Sequence, residues 1–373
     1  MAPTIRLGKI FGIEVGLNWS LVFIFGLIAW TLAVDMFPQE VPGQTGTAYW
    51  LAALAGAAAF YACLLAHELA HALVARRSGV QVAGITLWLF GGVSRLDGEP
   101  KSARAEALIA GVGPLTSFAV AVIAAGLWLV TASSPLVSNL FGWLAIVNAA
   151  LGVFNLVPAF PLDGGRLLSA IFWWRQGTRQ RGVHSAVRIG RLVAYLMIGI
   201  GVIEVFTVSP VNGIWIAFLG WFLLSAGSSE EAGTTMKAAL RAVPVSAAMT
   251  SPVITIPDWV TVEQFLESIA PAHHFTTYPV HDPSGKLTGV VRLGDLVKVA
   301  GGAQAEKRLN ALARPIAEVP TARPDEDLGS LIERVGLGLE KRVLVFDDGR
   351  LVGILSPIDV ARQLTMRQGA GRM

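Results

Sequence analysis

Residues 52–74 read AALAGAAAFYACLLAHELAHALV, apolar from end to end except at His67, Glu68 and His71. A helix needs about 20 apolar residues to cross a bilayer core, and this stretch qualifies. An acidic residue at mid-membrane costs about 2.5–3.5 kcal/mol on insertion scales and usually faces a polar, functional interior. On a helix, His67 and His71 are one turn apart, so both imidazoles point the same way and can share one zinc ion. Glu68 sits beside them, where it can take a proton from a water. The spacing alone leaves coincidence open; its place inside an otherwise apolar helix argues against it.

The rest of the chain fits a membrane setting. Of 373 residues, 53% are hydrophobic and 15% charged, against about a quarter charged in a soluble domain. That balance excludes a disordered chain, a fibrous chain and a purely soluble enzyme. Residues 1–227 hold 13 Lys/Arg and 9 Asp/Glu, and residues 228–373 hold 16 and 17. A membrane domain followed by a soluble one is the simplest organisation. The net charge of +3 has its excess in the membrane half, so no nucleic-acid partner is expected. The single cysteine, Cys63, excludes an intramolecular disulfide framework. No small-residue cleavage site clearly follows the first apolar stretch, which reads as a retained span.

Six stretches are expected to span the bilayer: 15–34, 51–75, 105–130, 139–159, 189–207 and 211–227. The connections at 35–50, 131–138 and 208–210 contain no Lys or Arg. Those at 76–104 and 160–188 each contain five, among them Arg76, Arg77, Arg166 and Arg179. Basic loops stay cytoplasmic, so both termini are expected in the cytoplasm. The 78–100 connection is β-branched and broken by glycine. It reads as strands or a re-entrant hairpin, which survives at membrane depth only against protein or a water-filled cavity.

A catalytic zinc takes three protein ligands and leaves one position for water. Glu14, Asp35, Glu40, Asp97, Glu99 and Glu106 read as loop or interface residues. Glu204 lies near the opposite end of the fifth span and reads first as an interfacial carboxylate. Asp163 remains, at the cytoplasmic end of the fourth span and at matching depth. It lies in NLVPAFPLDGGR, residues 155–166, where Pro158 and Pro161 break the helix and Gly164 and Gly165 permit a tight turn. A plain helix-capping role for Asp163 stays open. Cys63, one turn before His67, reads as packing rather than as a fourth ligand.

His67-Glu68-x-x-His71 with Asn155-x-x-Pro158 and Leu162-Asp163-Gly164 resembles the site-2 protease family of intramembrane zinc metalloproteases. Leu89-Phe-Gly-Gly-Val-Ser-Arg and Gly111-Val-Gly-Pro-Leu-Thr-Ser resemble that family's segments after the motif helix. The likeness covers about residues 5–227. It implies a metalloendopeptidase with one zinc ion per chain held by His67, His71 and Asp163, Glu68 as base, and Asn155 as a polar helper near the substrate carbonyl. It implies single-span membrane protein substrates, such as anti-sigma factors or other membrane-held regulators, cut inside the cell membrane toward the cytoplasmic side.

Residues 228–242 are small, polar and charged and read as a linker. Gly289 and Gly353 are 64 residues apart, as are Asp295 and Asp359, inside matching β–α patterns. This is an internal repeat of small α/β units, expected over 243–303 and 304–367 with a tail at 368–373. The units resemble a tandem pair of cystathionine-β-synthase (CBS) domains. That resemblance implies an adenine nucleotide held by Ser356 and Asp359 of Gly353-Ile-Leu-Ser356-Pro-Ile-Asp359, or a purely structural or dimerising pair giving a homodimer. The first unit, with Arg292-Leu-Gly-Asp295, lacks the hydroxyl. His273, His274 and His281 read as surface residues. The expected architecture is a polytopic α-helical membrane domain with a short β element and a C-terminal α/β CBS pair. A CBS-regulated transporter or channel, or a non-catalytic protein that captures transmembrane partners, stands as the alternative. Neither accounts for the His67, Glu68, His71 and Asp163 set.

Overall fold

Residues 4–88, 91–241, 243–273, 275–299, 306–335 and 342–370 are described in a computed structural model. Leu89 and Phe90 of the glycine segment, His274, the boundary expected at 303/304 and residues 371–373 lie outside the described residues. The chain divides into Met1–Thr235 and Met236–Met373.

The first unit opens with strands β1 (Ile5–Ile10) and β2 (Ile13–Leu17), joined by a turn in which Phe11 and Gly12 both take positive φ. The expected start of the first span, residue 15, therefore falls in a strand. Its apolar residues continue into α1, Leu21–Glu40, so composition alone cannot separate strand from helix. Next come α2 (Gly46–Arg77), capped by the Thr45 hydroxyl accepting from the Ala48 N–H, then β3 (Gln81–Trp88) and β4 (Gly91–Asp97). The expected β element is real, and it belongs to a larger sheet of order β1-β2-β3-β4. In this sheet β2 runs parallel to β3, β3 pairs antiparallel with β4, and β4 is an edge. Ile13, Ile85 and Leu87 pack this sheet against Tyr61, Leu64 and Ala72 of α2.

Helices α3 (Ala103–Val130), α4 (Pro135–Asn155), α5 (Asp163–Gln176), α6 (Arg179–Thr207) and α7 (Pro210–Leu240) complete the unit. Among the described residues, six helices are long and apolar enough to span a membrane: α1, α2, α3, α4, α6 and α7. They leave large side chains such as Leu129, Ile146 and Phe206 exposed, as lipid-facing surfaces require. The chain is a multi-pass membrane protein. α6 and α7 are longer than their apolar cores, and residues 228–240 continue α7 as helix.

In the second unit, strands β5 (Ile256–Pro257), β6 (Thr277–His281), β7 (Leu287–Arg292) and β8 (Arg314–Pro315) form one sheet, with helix α8 (Leu293–Val299). Strands β9 (Thr321–Ala322), β10 (Val343–Asp347) and β11 (Arg350–Leu355) form the other, with α9 (Leu328–Val335) and α10 (Pro357–Ala370). The repeat extends to a register shift after Val280 in one hairpin and after Val345 in the other. The leading segments are exchanged. Leu240, Val243, Val245 and Ala248 pack in the second core, with Thr250 bridging Ile354. Leu309 packs in the first core, and β8 pairs with β7.

Candidate metal centre

Helix α2 brings His67 and His71 one turn apart, with their Nε2 atoms at 3.1 Å. Asp163, the first residue of α5, enters from across the bundle. Its Oδ2 lies 3.3 Å from His67 Nε2 and 3.2 Å from His71 Nε2. Three donors held about 2.0–2.1 Å from a tetrahedral zinc stand about 3.3 Å apart, so this triangle has the size that zinc needs. Among the described residues these three form the group of metal-ligating side chains.

The outer ring nitrogen of His71 settles its tautomer. His71 Nδ1 lies 2.6 Å from the Ile109 carbonyl. A carbonyl only accepts, so Nδ1 carries the proton and donates it. His67 Nδ1 pairs with the Ser117 hydroxyl at 2.9 Å. Both partners are buried on α3. With Nδ1 protonated, Nε2 offers a lone pair to a metal ion or takes a second proton shared with Asp163. Burial raises the affinity of the Asp163 carboxyl for its proton, but hydrogen bonding and charge from His67 and His71 outweigh it and hold the group at about 2. It brings a full negative charge to the cluster.

Two glycines make this packing feasible. A Cβ at Gly113 of α3 would lie 2.1 Å from His71 Nε2 and 2.6 Å from His67 Nε2. A Cβ at Gly92, at the start of β4, would lie 2.1 Å from Glu68 Cγ and 2.9 Å from its Oε1. The backbone of α3 thus backs the imidazoles, and the edge strand backs the Glu68 carboxylate. On α5, Gly164 lets the 156–162 turn lie against the helix start; a Cβ there would meet the Leu156 carbonyl at 2.2 Å.

Asn155 ends α4 and donates from its amide to the Leu151 carbonyl at 3.0 Å, within its own helix. Cys63 and Glu204 are half-buried and outside the trio. His273 and His281 are half-buried, and His281 meets the Trp259 ring edge-on. Glu106 is a clearer correction. Expected at a loop or interface, it is buried on α3 against Arg179.

In the second unit, Ser356 and Asp359 cap α10 reciprocally. The Ser356 N–H and hydroxyl donate to Asp359 Oδ2 at 2.9 and 2.6 Å, and Thr250 donates to Oδ1 at 3.1 Å. A cavity of about 370 Å³ opens between the two repeats instead. Its lining includes Thr277, Arg292, Asp295, Arg314 and Arg342. Burial and the nearby Arg292 charge lower the proton affinity of the Arg342 guanidinium.

The model of peptidase family M50 matches residues 55–135 and 130–198, and that of the CBS domain matches 232–302 and 312–365. A protein of Mycobacterium tuberculosis named as a zinc metalloprotease, Rip3, is 42% identical over 366 residues. The match covers 97% of this chain and 93% of that one. The zinc metalloprotease MJ0392 of Methanocaldococcus jannaschii is 27% identical over 372 residues, covering 98% and 97%. Among solved structures, the site-2 protease from Methanocaldococcus jannaschii is 27% identical, over 61% of this chain and 94% of that one, with a TM-score of 0.39.

Proposed function

The chain belongs to peptidase family M50, the site-2 proteases, as a zinc metalloprotease with CBS domains, and from that premise we propose that it cuts a single-span membrane protein within or near its transmembrane segment. The observation that carries this reading is the convergence of His67, His71 and Asp163 on one point, with Glu68 on the same helix turn. His67 Nε2, His71 Nε2 and Asp163 Oδ2 would hold the zinc. When bound, zinc acts as a Lewis acid toward water and toward the scissile carbonyl.

Glu68 is the general base in this proposal. Its carboxylate takes the proton of the attacking water and hands it to the leaving amine nitrogen as the C–N bond breaks. Ser117 and the Ile109 carbonyl hold the imidazoles in the tautomer that keeps Nε2 available. Asn155 is assigned a helper role at the substrate carbonyl, which requires its amide to leave Leu151. A helical substrate hides its carbonyls in i→i−4 bonds and must unwind first. The edge of β4, whose Gly92 lies against Glu68, supports capture of the unwound segment as an added strand.

The substrate class is a membrane-held regulator, such as an anti-sigma factor. The basic connections support cytoplasmic termini and a site toward the cytoplasmic leaflet. Regulation falls to the CBS pair, through an adenine nucleotide or through pairing of two chains. The cavity beside Arg292, Arg314 and Arg342 supports an anionic ligand. A role for Ser356 and Asp359 at a ribose requires their capping pair to open.

Replacing Glu68 by Gln tests the proposal in purified protein with a single-span substrate. Cleavage is expected to stop while zinc content stays at that of the unaltered chain. Undiminished cleavage by the Gln variant would overturn the mechanism.

A further inference from the structure

Glu106 lies in the first turn of α3 and is only 3% exposed. A buried carboxylate needs a partner, and Arg179 Nε meets it at 3.2 Å. The same guanidinium reaches Glu99 from Nη1 at 3.2 Å and Glu230 of α7 from Nη2 at 3.7 Å. One planar fork thus ties together the β4–α3 connection, α3, α6 and α7, a task that suits arginine and not a point charge.

Glu106, Ile109, Gly113 and Ser117 are spaced by three, four and four residues, so they share one face of α3. The last three touch the metal centre: Ile109 holds His71 Nδ1, Gly113 backs both Nε2 atoms, and Ser117 holds His67 Nδ1. Glu106 is the outermost member of the row and the one that Arg179 anchors. On the other side, only Gly177 and Thr178 separate Arg179 from α5, the helix that begins with Asp163. The ion pair therefore links the helix that orients the histidines to the C-terminal corner of α5, the helix whose opposite end carries the Asp163 carboxylate.

We propose that Arg179 and Glu106 are a positioning pair for the metal centre. Their ion pair sets where the first turns of α3 stand, and so where the Ile109 carbonyl holds the His71 ring. Without Arg179, the buried Glu106 charge pulls the start of α3 toward water and draws the carbonyl away from His71. The inference rests on the zinc reading above.

The test uses the full chain in detergent. Zinc affinity is measured by chelator competition, and the visible spectrum is recorded after cobalt(II) substitution. Arg179→Met is expected to lower zinc affinity roughly tenfold, the low end of the cost of losing an outer partner, because it acts one step further out through the Ile109 carbonyl, and to shift the cobalt bands. The double variant Glu106→Gln/Arg179→Met is expected to recover most of that loss, because no uncompensated buried charge remains. Unchanged affinity and spectrum in Arg179→Met would overturn the proposal. So would a double variant as weak as the single, since Arg179 would then act through Glu99, Glu230 or general stability. If Arg179→Met does not fold, Arg179→Lys and Glu106→Gln take its place, and affinities equal to the unaltered chain in both overturn it. An unaltered chain that binds no zinc overturns the zinc reading and this inference with it, which separates the two failures.

Discussion

Gly113 faces His71 so closely that a Cβ on its α-carbon would stand 2.1 Å from the imidazole Nε2. The rings cannot simply swing aside, because the Ile109 carbonyl and Ser117 hydroxyl hold their far edges. Gly113→Ala is therefore expected to lose zinc affinity by at least roughly tenfold. Helix content should hold, since alanine is the better helix former. Chelator competition and circular dichroism on the same preparation check both halves.

Ser117→Ala removes the partner of His67 Nδ1 and leaves that ring nitrogen buried without a hydrogen bond. A loss of roughly 10- to 100-fold in zinc affinity is expected. Ser117→Thr keeps the hydroxyl and should bind more tightly than Ser117→Ala. Equal affinities for the alanine variant and the unaltered chain would show that His67 needs no such partner.

Asp163→Ala takes away the one donor that does not come from α2. Elemental mass spectrometry should find about one zinc per unaltered chain and little in the variant. Full zinc retention would mean that α2 and α5 do not close a common site.

In the C-terminal unit, a Cβ at Gly289 would meet the Arg314 carbonyl oxygen at 2.5 Å. Backbone cannot yield as a side chain does. Gly289→Ala is expected to destabilise the first sheet by about 1–3 kcal/mol. Hydrogen exchange on the full chain should show faster exchange across β6 to β8 and no change in α2.

Much of this was legible before any coordinates, for physical reasons that differ by element. His67 and His71 were readable because helix periodicity is local: two residues four apart must share a face. Asp163 was readable by depth, because a bilayer gives every span a common ruler. The start of the first span differs from the expected residue 15, since Ile13, Val15 and Leu17 supply apolar residues just ahead of the helix and read as its continuation. Glu106 was misread because its partner Arg179 is 73 residues away, and nothing local announces a buried pair. Ser117 stood inside a quoted motif, but its link to His67 Nδ1 depends on how two helices cross. The Ile109 carbonyl, being backbone, has no sequence signal at all.

The exchanged leading segments of the repeats have a consequence for the order of synthesis. Leu240, Val243 and Val245 leave the ribosome first among the residues of their core, yet they pack against Val343, Leu355 and Val360, which come last. At about 5–20 residues per second, that early segment waits on the order of ten seconds for its partners. Meanwhile the first core completes without it as soon as Leu309 and β8 emerge. The later-made half is thus built onto a segment left uncovered by the earlier one, and a nascent chain halted between the halves would expose Leu240 and its neighbours with nothing to cover them.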